Sequence, residues 1–106
     1  MNYMNQALFR RYAMEGSEPV LVAFCASWCG YCRRILPALK RLADTHRGKM
    51  LVGVLDNDME PALFRAEEIE MLPTLIVYQG GKVLGSIVGP ENQERIEEFL
   101  RETVEL

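Results

Sequence analysis

Cys25-Ala-Ser-Trp-Cys-Gly-Tyr-Cys32 holds all 3 cysteines of a 106-residue chain. Two readings compete. As C-x-x-x-C-x-x-C, the stretch could carry a cluster or a metal. As C-x-x-C, only Cys29 and Cys32 matter, and they form a dithiol. The neighbouring residues separate the two. Val20-Leu-Val-Ala-Phe-Cys25 is a continuous apolar run behind the turn residues Gly16-Ser17-Glu18-Pro19. Such a run suits a strand buried on both faces. After the dithiol, Ile35, Leu36, Leu39, Leu42 and Ala43 recur at helical spacing, and Gly48 closes that helix. Pro37 falls inside it, where it removes a hydrogen bond and should kink the axis. The C-x-x-C therefore lies where a strand becomes a helix. There Cys29 meets unpaired N–H groups and the positive end of the helix dipole, both of which stabilise an anion. Thiolate then becomes available near neutral pH. Cys32 sits one turn in and is more shielded. An outer nucleophile with an inner resolving thiol is what thiol–disulfide exchange requires.

Outward from this point the chain alternates. Met4, Leu8, Phe9, Tyr12 and Ala13 predict an amphipathic helix over residues 3–15. Met50-Leu-Val-Gly-Val-Leu55 predicts a second buried strand. Asp56, Asn57 and Asp58 supply turn and cap residues, and Pro61 opens a shorter helix ending near Glu68. Leu72-Pro-Thr-Leu-Ile-Val-Tyr78 reads as a third strand. Gly80-Gly81 is a hairpin signal, with residues 82–88 returning. Asn92 caps a last helix with Ile96, Phe99, Leu100 and Thr103 or Val104 inward. The acidic stretch from Glu97 to Glu105 reads as the solvated side of that helix. A strand–helix–strand unit of this kind makes a right-handed crossover between parallel strands. The whole predicts a single α/β domain over residues 1–106: a mixed, roughly four-stranded sheet with helices on both faces.

Composition narrows function. The net charge is −3, without the basic face that nucleic-acid binding needs. Arg10-Arg11 and Arg33-Arg34 are the basic pairs, and a solvated surface accounts for them. No apolar run reaches the roughly 18 residues of a membrane helix. The N-terminal residues lack the apolar core and cleavage site of a signal peptide, so a cytoplasmic protein is expected. In a reducing cytosol, clustered cysteines point to catalysis or metal rather than to structural staples.

The segment LVAFCASWCGYCRRILPALKRLA resembles the active-site strand and helix of the thioredoxin family. Trp28-Cys-Gly-Tyr-Cys32 matches that family's W-C-G-x-C, and Pro37 matches its helix proline. MLPTLIVYQGGKVLGSIVG resembles a second family landmark, a cis-proline before a hairpin and a glycine; here these are Pro73, Gly80, Gly81 and Gly89. The resemblance covers residues 18–102. It implies the thioredoxin fold and a protein-disulfide reductase in which Cys29 attacks a substrate disulfide and Cys32 resolves the mixed disulfide. It further implies a cis peptide bond at Pro73. Trp28, Gly30, Tyr31, Leu72, Pro73 and Gly89 would line a shallow groove for an extended substrate. No bound cofactor or metal is implied, because the electrons reside on the two sulfurs. The implied partners are disulfide-containing proteins and a thioredoxin-reductase-type electron donor, with the chain a monomer.

Four features depart from the family pattern. Ala23 stands where thioredoxins carry a buried Asp, and Val54 where they tend to carry Lys. Cys32 would then lack a side-chain base, which implies a stabler but slower protein. Tyr31 replaces the usual Pro between the cysteines, which leaves the potential, and the choice between reductant and isomerase or oxidant, open. Little sequence precedes the first helix, so the family's N-terminal edge strand should be short or absent.

The competing readings have less support. Cys25 reads as a small buried hydrophobe. A cluster site like that of radical S-adenosylmethionine enzymes needs a far larger chain. Four-coordinate zinc needs a fourth ligand, and His46 lies far along the helix as a surface or C-terminal cap residue. A thioredoxin-fold binding module without net redox turnover is the alternative outside the enzyme class.

Overall fold

A computed structural model describes residues 2–104. Met1, Glu105 and Leu106 lie outside the described residues, so the ends of the expected 1–106 domain and the last residue of the acidic stretch do too. The strands are β1 (Asn2–Tyr3), β2 (Val20–Cys25), β3 (Leu51–Asp56), β4 (Thr74–Gln79) and β5 (Lys82–Val88). The helices are α1 (Gln6–Phe9), α2 (Gly30–Thr45), α3 (Pro61–Ala66) and α4 (Gln93–Thr103), with a π-helical continuation of α1 over Arg10–Met14. The sheet order is β1-β3-β2-β4-β5. β2 runs parallel to β3 and antiparallel to β4, and β4 pairs antiparallel with β5. The expected mixed α/β sheet is present.

Each side chain follows from strand alternation. On one face of β2, Leu21, Ala23 and Cys25 join Val52, Val54, Leu75 and Val77 beneath α2 and α4. On the other, Val20, Val22 and Phe24 join Leu55, Ile76 and Tyr78 beneath the first helix and α3. There Phe24 meets Phe9 and Phe64 edge-on, and Phe9 meets Tyr78 the same way. Edge-to-face pairs add about 0.5–1.5 kcal/mol beyond their buried area. Because both faces are covered, β2 needs no polar side, which explains its unbroken apolar sequence.

Several boundaries differ from the sequence expectation. β3 runs from Leu51 to Asp56 rather than from Met50 to Leu55, so Asp56 ends a strand instead of opening the turn. The first helix starts at Gln6 rather than residue 3, because Asn5 caps it by accepting the Leu8 N–H at 2.8 Å. Tyr3 belongs instead to β1, so the edge strand is present but only two residues long, paired with Gly53 and Val54. Gly53 makes this possible: a Cβ there would collide with the Met4 sulfur. The helix then widens, with the Glu15 N–H reaching Arg10 O at 3.0 Å. The Ala13 carbonyl near its end accepts the Gly81 N–H at 3.0 Å, tying the hairpin turn down. β4 begins at Thr74, leaving Leu72 and Pro73 ahead of it, and α3 ends at Ala66, two residues early. At the other end of α2, His46 takes the C-cap position.

Candidate active site

The C-terminal ends of β2 and β3, the start of β4 and the end of β5 all lie at one end of the sheet, since Phe24 pairs with Leu55 and Thr74, and Thr74 with Val88. Cys29 caps α2 at this end. Its backbone is extended (φ −83°, ψ 112°), and its sulfur accepts the Cys32 N–H at 3.3 Å. This is the N-cap geometry that normally belongs to Ser or Asp. The slight burial of Cys29 pushes its thiol pKa up. Hydrogen bonds from the Cys32 side chain and from the N–H groups of Cys32 and Tyr31, with the Arg33 charge, outweigh that and hold the pKa below its ordinary value. Cys32 is 1% exposed, and burial, with its hydrogen bond to Cys29, pushes its thiol up to about 11. The two sulfurs of one motif are thus driven apart, one toward thiolate and one toward thiol. All three cysteines are free thiols.

Cys25 points the same way as Ala23 and is buried beside Cys32, and burial drives its thiol far above the ordinary range. It is the small buried residue expected from its strand. Among the described residues, no group of three His, Cys, Asp or Glu side chains is arranged to hold a metal ion.

Around Cys29, Trp28 is 63% exposed, and its indole N–H donates to Asp58 Oδ1 at 3.4 Å. Gly30 opens α2 and is exposed. The Leu72–Pro73 peptide is cis; Pro73 is buried and Leu72 half-buried. The Gly89 N–H donates to the Pro73 carbonyl at 2.9 Å, so these two landmarks adjoin. Gly89 has φ +55°, a left-handed conformation that favours glycine. Tyr31 is anchored more firmly than its sequence suggests. Its hydroxyl donates to the carbonyls of Gly89 at 2.8 Å and Pro90 at 3.1 Å, and the Arg34 guanidinium lies 5.0 Å over its ring. Met71 and Met59, which the sequence does not single out, add exposed apolar surface at this end. Their adjacency to Leu72 and Asp58 is the one signal that could have found them.

Behind the dithiol lies a cavity of about 130 Å³ lined by Tyr3, Cys25, Ala26, Ser27, Cys32, Arg33, Leu36 and Asp56. Ala23 and Val54 sit opposite each other in the sheet, both fully buried, so an apolar pair occupies the place where the family pattern has charge.

The thioredoxin family model matches residues 1–102. A thioredoxin of Alicyclobacillus acidocaldarius subsp. acidocaldarius is 36% identical over 93 residues, covering 88% of this chain and 89% of that protein. A thioredoxin of Streptomyces clavuligerus is 41% identical over 81 residues, covering 76% of this chain and 75% of its own length. A bifunctional thioredoxin reductase/thioredoxin of Mycobacterium leprae (strain TN) is 33% identical over 101 residues, 95% of this chain and 22% of that longer protein.

Proposed function

The chain belongs to the thioredoxin family and is a thiol–disulfide oxidoreductase of the protein-disulfide reductase kind, and from that premise we propose the roles of its residues. Cys29 is the nucleophile. The observation that carries this is the Cys32 N–H held 3.3 Å from the Cys29 sulfur at the start of α2, because that contact and the helix end stabilise a thiolate where a substrate can reach it. Its sulfur attacks one sulfur of a substrate disulfide and expels the other as a thiolate. Cys32 then attacks Cys29, which releases the second substrate sulfur and leaves a Cys29–Cys32 disulfide. No cofactor is needed for this two-electron exchange.

Substrates are disulfide-bearing proteins presenting an extended segment across Trp28, Gly30, Leu72, Pro73 and Gly89. The exposed apolar surface of Trp28, Met71 and Val88 supports a protein-sized partner. Tyr31 contributes its ring, its hydroxyl being engaged elsewhere. A thioredoxin-reductase-type donor restores the dithiol, a reading supported by the relative in which reductase and thioredoxin share one chain. The protein acts as a monomer in the reducing cytoplasm.

An equilibrium redox titration, quenched by acid and alkylation and read by intact mass, tests this reading. A two-thiol transition at roughly −250 mV or below marks a reductant, and one near −180 to −120 mV marks an isomerase or oxidant. Cys32→Ser should trap substrates as mixed disulfides and Cys29→Ser should not.

A further inference from the structure

Resolution of the mixed disulfide requires Cys32 to lose its proton, and the thiol is buried in apolar surroundings. The position opposite Val54 offers no help, because it is Ala23. The same sheet face does carry a carboxylate, one pair further along. Cys25 pairs with Asp56 in the parallel register. Val52 and Val54 face α2 and α4, so alternation sends Asp56 to that face as well, about 7 Å beyond Val54. Asp56, Cys32 and Cys25 line one cavity.

We propose that Asp56 is the general base for Cys32, taking its proton across the cavity that both residues line. The proposal rests on the exchange mechanism above. In balance, the proton leaves Cys32 Sγ for the Asp56 carboxylate, and the Cys32 electron pair forms a bond to Cys29 Sγ. The bond between Cys29 and the substrate sulfur breaks, and the substrate leaves as a thiolate. Asp56, only half-buried, returns the proton to solvent.

Several features suit this role. The cavity is large enough to admit water, and Cys32, Ser27 and Asp56 are among the residues that line it. Asp56 is positioned: its Oδ1 accepts the Asp58 N–H at 2.9 Å, and the Asn57 N–H donates to Cys25 O at 2.8 Å. The titratable and charged groups packed around it are Cys25 on β2, Cys32 and Arg33 on α2, Tyr3 on β1 and Asp58 in the following loop. Cys25 cannot be the base itself, because burial holds its thiol protonated.

The test is the two-phase reaction of reduced protein with an aromatic disulfide whose released thiol is coloured. Attack by Cys29 releases the first thiol; resolution by Cys32 releases the second. Asp56→Asn keeps the acceptor for the Asp58 N–H and should leave the first phase unchanged. The second phase should slow at least about tenfold near neutral pH. In wild type the second phase should be flat between about pH 6 and 8, as a resident base makes it. In the variant it should climb with hydroxide and converge with wild type in strong alkali. An unchanged second phase in Asp56→Asn, or a wild-type phase that climbs tenfold per pH unit throughout, overturns the proposal. The wild-type profile decides the matter even if the variant fails to fold. Loss of the first phase in wild type would instead count against the Cys29 reading.

Discussion

The Tyr31 hydroxyl donates to the Gly89 carbonyl at 2.8 Å, joining the residue between the two cysteines to a loop 58 positions away. A proline at this position would stiffen the turn through its ring. Tyr31 instead ties it through tertiary hydrogen bonds, which link the dithiol helix to the Pro73–Gly89 landmark. Tyr31→Phe removes the hydroxyl and keeps the ring under Arg34. It should cost about 1 kcal/mol of stability, the usual net worth of such a bond. Urea unfolding of the reduced protein checks this.

Cys29 should be alkylated first and alone below the ordinary thiol range. Iodoacetamide kinetics against pH, with mass-mapped products, should show modification of Cys29 well before Cys32, because burial pushes the Cys32 thiol up to about 11 while Cys29 is held below its ordinary value. Arg33→Glu removes a stabilising positive charge and adds a negative one, so the Cys29 curve should move to higher pH. A curve that stays in place would show that the helix end and its N–H groups act without help from Arg33.

Stability of the reduced protein should depend on pH in alkali with a definite sign. Cys32 binds its proton more tightly folded than unfolded. Its contribution is full below the unfolded thiol pKa of about 8.5. It declines as pH rises toward about 11, because the unfolded chain then holds fewer protons than the native one. Cys29 acts oppositely: its lowered pKa adds stability that is present above the unfolded value and is lost as pH falls through the folded one. Denaturant midpoints of wild type and Cys32→Ala, measured with reductant between about pH 8.5 and 11, should show a steeper fall for wild type.

Ala23→Asp places a carboxylate at a fully buried position facing Val54. With no cation to meet it, the substitution should cost about 3 kcal/mol or more. In an Asp56→Asn background it should restore part of the resolving rate, since it returns a base to the same sheet face. Thermal unfolding reads the first effect and the second phase of disulfide exchange reads the other. A stable Ala23→Asp protein would mean that water reaches this position.

The active-site strand and helix were legible because their signals are local. An unbroken apolar run, a cap residue and a helical repeat lie within about 25 positions and need no partner to be read. The hairpin was equally plain: Gly80 and Gly81 both take positive φ, at 58° and 82°, as the tight turn demands. The first helix was less so. Met4 fits the helical repeat, yet it closes over Gly53, and nothing in residues 3–15 announces that a distant glycine will accept the chain as a strand.

What the sequence determined by itself is the dithiol at a strand-to-helix junction, and with it the exchange chemistry. What only the tertiary structure decided is the surroundings of Cys32. Ala23 shows that one position carries no base, but whether another supplies it depends on the register between β2 and β3. That register sets Cys25 against Asp56 and brings the carboxylate to the cavity behind the dithiol. Registers are selected by the packing of whole faces, since a shift of one residue would turn Asp56 to the opposite side of the sheet. The tether from Tyr31 to Gly89 has the same origin: chain folding, not spacing, brings the two together.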